Sequence, residues 1–281
     1  MQPTAVSISD PADRKQSRKE VMNQIQIIQG LESRASVLIT GASSGIGLAL
    51  VMALLAHAQV ARVIAVSRTA ERNDALAALV AQQGDRLMRI SADITHADDL
   101  AALAIRVAAT TDRLHLIFNA AGILHAPGMR PEKSVMQLNA ETLAQVFALN
   151  AFAPILLARA LLPRLKHAQP SVLASLSARV GSIGDNQLGG WYAYRASKAA
   201  QNQFYRTLAV ELRRTHPHTT CVLLHPGTVD TPLSLPFQNN VPVENLFTPE
   251  RAAQQLLGIV AGLKPSDSGR FMAWDGRDIP W

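Results

Sequence analysis

From Ser36 onward the chain alternates short apolar, β-branched runs with longer Ala/Leu-rich stretches, and this alternation restricts the fold more than any other feature. The runs at Ser36–Thr40, Val63–Ser67, Leu87–Ser91, Leu114–Phe118, Ser171–Leu176, Thr220–Leu224 and Arg270–Ala273 read as strands. The stretches at Ile46–His57, Glu71–Gln83, Ala97–Thr110, Glu141–Lys166, Tyr192–Thr215 and Pro249–Gly262 read as helices. Strands that are apolar on both faces need cover on both sides. The pattern therefore predicts an α/β fold: one doubly wound domain with a seven-stranded, mostly parallel sheet, helices on each face and right-handed crossovers. That domain spans residues 36–281. Residues 1–35 are polar and read as an N-terminal extension, in which Val21–Ile28 could form a short helix or strand and Met22 an alternative start. Two long, proline-bearing connections, Ile123–Ala140 and Pro232–Pro249, are placed to border a ligand at the carboxyl ends of the strands.

Composition narrows the function classes. With 48% hydrophobic and 17% charged residues, the chain has the balance of a soluble globular protein. No apolar run reaches the roughly 18 residues of a membrane span, so no membrane partner is expected. The N-terminus lacks an apolar signal-peptide core, and the single cysteine, Cys221, reads as a small buried hydrophobe. A reducing, cytoplasmic location is expected. The formal charge of +6 raises nucleic acid as a partner. However, Arg14, Lys15, Arg18 and Lys19 are interleaved with Asp10, Asp13 and Glu20, and no stacking motif or basic recognition helix is visible, which argues against it. The histidines show no ligand spacing around carboxylates, so no metal site is expected.

The first strand runs into Thr40-Gly41-Ala42-Ser43-Ser44-Gly45-Ile46-Gly47 and then a helix. Glycines at a strand-to-helix turn let the backbone approach a pyrophosphate, and the helix start offers free N–H groups. The turn therefore predicts dinucleotide binding through Gly41, Ser43, Ser44, Gly45, Ile46 and Gly47. No lysine follows the last glycine, which excludes a P-loop triphosphate site. The second strand ends in Ser67-Arg68, where a cation and a hydroxyl suit a 2′-phosphate better than a free ribose hydroxyl. NADP(H) is favoured over NAD(H), the alternative being that Arg68 is an ordinary surface cation.

Tyr194 and Lys198 are four residues apart in a helical stretch, so they share a face. A nearby ammonium favours the phenolate, which would lower the tyrosine pKa and suit proton exchange with a substrate oxygen. On spacing alone the pair is common on ordinary helices.

With Thr40–Gly47, Asn119-Ala120-Ala121-Gly122, Tyr194-x-x-x-Lys198 and Pro226-Gly227 in this order, the chain resembles the short-chain dehydrogenase/reductase family from about Ser36 to its end. Gly181-Ser182-Ile183, Gly189–Arg195 and the Gly269–Trp281 ending resemble its carbonyl-reductase and C-factor-like group. The resemblance implies a Rossmann-like fold and reversible hydride transfer between nicotinamide and a small carbonyl or alcohol substrate. It implies Asp93 and Ile94 at the adenine, and Asn119, Ala121 and Gly122 along the cofactor. Pro226, Gly227, Val229 and Thr231 would border the nicotinamide. Tyr194 would be the acid/base, while Lys198 would also bond the ribose. The serine partner is Ser177, nearest the strand end, or Ser182, which has the more usual distance to Tyr194. Asn150 matches the family's fourth catalytic residue. Pro154, four residues on, cannot donate to the Asn150 carbonyl, which in an otherwise regular helix would be left free for a water. A homodimer or homotetramer is implied, pairing through 141–166 and 192–215. The alternative function is a dinucleotide-binding signalling protein whose role does not depend on turnover.

Overall fold

A computed structural model describes residues 26–281. The expectations for residues 1–25, including those for Val21 and Met22, lie outside the described residues.

Among the described residues, seven strands form one sheet: β1 (Ala35–Thr40), β2 (Val60–Ser67), β3 (Leu87–Ser91), β4 (Leu116–Asn119), β5 (Ser171–Leu176) and β6 (Thr219–His225), with a last strand at Phe271–Ala273. Two short strands, β7 (Thr228–Val229) and β8 (Leu246–Phe247), pair separately, so the last strand is β9. The order is β3-β2-β1-β4-β5-β6-β9, and every neighbouring pair is parallel. Helices α1 (Gly45–Ala56), α2 (Asp74–Gln83) and α7 (Pro249–Gly262) contribute Leu50, Leu54, Leu76, Leu256 and Val260 to the core on one face. Helices α3 (Ala97–Thr110), α4 (Ala140–Phe147), α5 (Ala153–Leu161) and α6 (Tyr192–Thr215) lie on the other side, where Leu103, Leu157, Tyr205 and Leu212 are buried. Along β1 the side chains alternate between these cores, Val37 and Ile39 on one side and Leu38 on the other. Neither face of the sheet meets water, so both sets of positions had to be apolar.

Two expectations are corrected here. The core begins before Ser36: Ile27, Ile28 and Leu31 are buried in the α1/α7 core. The Ile27 amide donates to Gln59 Oε1 at 2.9 Å, and Gln59 Nε2 donates back to the Leu31 carbonyl. Ile27 and Ile28 fall in the stretch expected as a short helix or strand, but among the described residues they form neither and are buried through Gln59 and the sheet. The second concerns apolar length. Ala140–Arg164 is one continuous helical run, long and apolar enough by length and composition to cross a membrane. In the fold it is divided near its middle, and it packs against α3 and α6.

That division is a π turn, Ala148–Phe152, whose end is marked by the Ala153 amide donating to the Ala148 carbonyl five residues back. Pro154 stands at the start of α5 and has no amide to donate. The expectation of a free Asn150 carbonyl assumed a regular α-helix. The π turn spans Asn150 itself, so that regular register does not hold there, and the Asn150 side chain is fully buried.

Candidate active site

The carboxyl ends of the parallel strands open into a cleft of about 1340 Å³. One end of it, at the glycine turn, is shaped by backbone. Gly41 has φ +67°, and a Cβ there would lie 2.9 Å from the Ala120 backbone. A Cβ on Gly47 would lie 2.1 Å from the Gly41 carbonyl oxygen. Only hydrogen fits at these positions, so the turn folds tightly and delivers α1 end-on to the cleft. Ser44 caps α1 without a side-chain hydrogen bond, and its first turn carries no acidic residue. The amides there are free for an anion.

Gly41, Ser43, Ser44, Gly45, Ile46 and Gly47 all line the cleft, as do Ser67, Arg68, Asp93, Ile94, Ala121, Gly122, Pro226 and Thr231. Thr69 and Arg72 join Arg68 on the wall, a second cation four residues along that the sequence reading passed over. Its signal was available as Arg68-Thr-Ala-Glu-Arg72 in one turn. Partial burial pushes the Asp93 carboxyl up, but hydrogen bonds from Thr95, with His96 and Arg68 nearby, outweigh it and hold it below its usual value. Asn119, Asn150, Gly227 and Val229 stand behind the wall rather than on it. Asn119 is fully buried between Thr40 and Ser175. Gly227 has φ +79°, and a Cβ there would strike the Phe247 ring at 2.7 Å. Val229 is buried in the β7–β8 pair.

At the other end stand Tyr194 and Lys198, both on the cleft and both buried. Tyr194 lies in the first turn of α6, with the Trp191 ring edge-on at 6.2 Å. Trp191 is left-handed, with φ +50°. It is held there by its own amide, which donates to the Glu132 carbonyl at 2.5 Å. The Glu132 carboxylate accepts the Ala193 amide at 3.2 Å, so the loop after β4 clamps the start of α6. Lys198 Nζ is 5.9 Å from the Tyr194 ring centre. It donates to the Leu176 carbonyl at 2.9 Å and to Gln201 Oε1 at 3.0 Å. The expected lowering of the tyrosine pKa is corrected. Burial pushes the Tyr194 phenol up, and burial also pushes the Lys198 ammonium down to about 7, so the cation is weakened where its influence was wanted.

Asn150 is fully buried and grips the backbone of Ile123. Its Nδ2 donates to the Ile123 carbonyl at 2.8 Å, and its Oδ1 accepts the Ile123 amide at 2.8 Å. A Cβ on Gly122 would sit 3.4 Å from Asn150 Oδ1 and 3.7 Å from Lys198 Nζ, so all three converge. Ser177 lines the cleft, and its hydroxyl donates to Asn202 Oδ1 at 2.6 Å. Ser182 is buried and accepts the Asp185 amide at 3.1 Å, away from the lining residues.

The two proline-bearing loops meet over the cleft. His125 Nε2 is 3.1 Å from the Pro232 carbonyl, and its ring stands edge-on to Phe237 at 5.8 Å. Phe237 in turn lies 4.9 Å from Trp191. An aromatic row thus joins both loops to the residue beside Tyr194.

A family model described as short chain dehydrogenase matches residues 35–241. C-signal of Myxococcus xanthus is 37% identical over 139 residues, covering 50% of this chain and 78% of that protein. The carbonyl reductase Sniffer of D. melanogaster superposes with a TM-score of 0.78 at 28% identity, covering 88% of this chain and 99% of its own. An NADPH-bound carbonyl reductase from chicken fatty liver gives the same TM-score and identity, covering 90% and 97%.

Proposed function

The chain belongs to the short-chain dehydrogenase/reductase family, a class of NAD(P)-dependent oxidoreductases, and on that premise we propose that it reduces a small carbonyl substrate using NADP(H), with Tyr194 as the acid. The observation that carries this reading is the pairing of Tyr194 with Lys198 on one wall of the cleft whose far end has the free amides of α1. The cleft suits a dinucleotide: uncapped amides and close-packed glycines for a pyrophosphate, then Ser67, Arg68, Thr69 and Arg72 for a 2′-phosphate. When bound, the cofactor supplies the hydride.

The chain's own part is proton handling and orientation. A phenol pushed up by burial holds its proton at neutral pH, which suits donation to a carbonyl oxygen as that oxygen gains charge. Lys198 supplies positive charge beside the developing phenolate. Ser177 would polarise the substrate oxygen once its hydroxyl rotates away from Asn202. Asn150 holds Ile123, and with it the strand-end loop that backs the site. Tyr194→Phe should abolish NADPH oxidation across a panel of aldehydes, ketones and quinones while NADPH binding stays within about twofold. Turnover at the unmodified rate in that variant would sink the reading.

The likeness to C-signal supports a second reading, a dinucleotide-binding signalling protein that needs no turnover. The same panel separates the two: NADPH binding without oxidation of cofactor by any substrate would favour it.

A further inference from the structure

A string of buried polar side chains runs behind the cleft wall, and the proton-transfer scheme above leaves most of it unused. Thr40, Asn119 and Ser175 occupy matching register positions on β1, β4 and β5. Thr40 Oγ1 donates to Asn119 Oδ1 at 2.6 Å, and Asn119 Nδ2 donates to Ser175 Oγ at 2.8 Å. Gln201, from α6, donates through Nε2 to the same Ser175 oxygen at 2.6 Å and to the Leu176 carbonyl at 3.2 Å. Its Oε1 accepts Lys198 Nζ at 3.0 Å. Asn119, Ser175 and Gln201 are 0% exposed, and Thr40 and Lys198 are 1% and 3% exposed.

An amide buried this deeply is costly unless both of its ends are met. Here both are, and in one orientation only. A lysine ammonium is purely a donor, so the amide oxygen must face Nζ and the NH₂ must face Ser175. The ammonium has three N–H groups. The Leu176 carbonyl and Gln201 take two, leaving one for the cleft. Around Nζ stand Tyr194 from the same helix, Leu176 from the end of β5, and Gly122 with Asn150 Oδ1 behind it. Among the described residues no carboxylate is paired with Lys198, so Gln201 is its side-chain acceptor.

We propose that Gln201 is a positioning residue for Lys198, fixing its ammonium with one N–H toward the cleft and tying that position through Ser175 and Asn119 to Thr40 at the phosphate turn. The inference rests on the Tyr194/Lys198 reading and adds to it the group that aims the lysine.

The test compares Gln201→Leu, Gln201→Glu and Lys198→Met with the unmodified protein, using NADPH and the best carbonyl substrate of the panel. Gln201→Leu keeps the volume and removes the acceptor, so kcat should fall about tenfold while KM for the carbonyl changes less than about threefold. Gln201→Glu keeps the shape and places a carboxylate on Nζ, which favours the charged lysine. The alkaline limb of the kcat–pH profile should then move to higher pH, even if the Leu variant folds poorly. Unchanged kcat and an unmoved pH limb in both Gln201 variants, with only a lower Tm, would reduce Gln201 to a core residue and overturn the proposal. If Lys198→Met itself turns over normally, the lysine reading fails and this inference falls with it. If Lys198→Met is inactive while the Gln201 variants are unaffected, only the positioning role is refuted.

Discussion

The two ends of the cleft are built from different materials. The end at the glycine turn is made of backbone: glycines that exclude any Cβ and uncapped helix amides, with cations on the rim. The end that carries Tyr194 and Lys198 is made of buried side chains whose pKa values are moved by burial, the phenol up and the ammonium down. Shape governs one end and desolvation the other, so the two should fail differently when altered.

The largest effect is expected at the phosphate turn. Gly47→Ala would place a carbon 2.1 Å from the Gly41 carbonyl oxygen, a clash between two backbone segments with nothing flexible to yield. Dinucleotide binding measured by calorimetry should be lost, and Tm should fall as well, because Gly47 is buried against the Gly41 and Ala42 backbone. Binding of NADPH at the unmodified affinity would contradict a backbone-built cradle.

A smaller effect is expected from the rim. Removing both Arg68 and Arg72 should raise KM for NADPH by about tenfold or more and leave KM for NADH nearly unchanged, since only the former carries a 2′-phosphate. Equal changes for the two cofactors would remove the basis for NADP(H) preference.

The most diagnostic effect belongs to the end that carries Tyr194 and Lys198. Burial holds the Lys198 ammonium at about 7 against an ordinary value of 10.5. The charged form is therefore penalised in the folded state. That penalty is fully present below pH 7 and disappears as pH rises toward 10.5, because the unfolded chain binds the extra proton across that window. Lys198→Met escapes it at every pH. The Tm difference between the Met variant and the unmodified protein should shift in favour of the unmodified protein as pH rises from 6 to 10. A difference independent of pH would show that the lysine is better solvated than its surroundings imply.

Much of the fold is legible in the sequence. α3, α6 and α7, with β3 and β5, begin and end where the periodicity put them. Other boundaries moved for local reasons. The Asn73 side chain accepts the Leu76 amide and starts α2 at Asp74 rather than Glu71. The helix expected over Glu141–Lys166 carries a π turn before Pro154, which a 3.6-residue period cannot reveal. The Arg68/Arg72 spacing is visible in the sequence, but only the turn over Ala70–Arg72 sets both cations on the cleft wall.

The sequence by itself determined the alternating fold, the glycine cradle and the Tyr194/Lys198 pair, because each depends on local spacing or on the absence of a side chain. Only the tertiary structure decided how that pair is charged and aimed. Burial raises the phenol and lowers the ammonium, and the acceptor for Nζ comes from Gln201 and the end of β5. The remaining links, from Thr40 through Asn119 to Ser175, join strands far apart in the chain, through contacts that exist only once the sheet has closed.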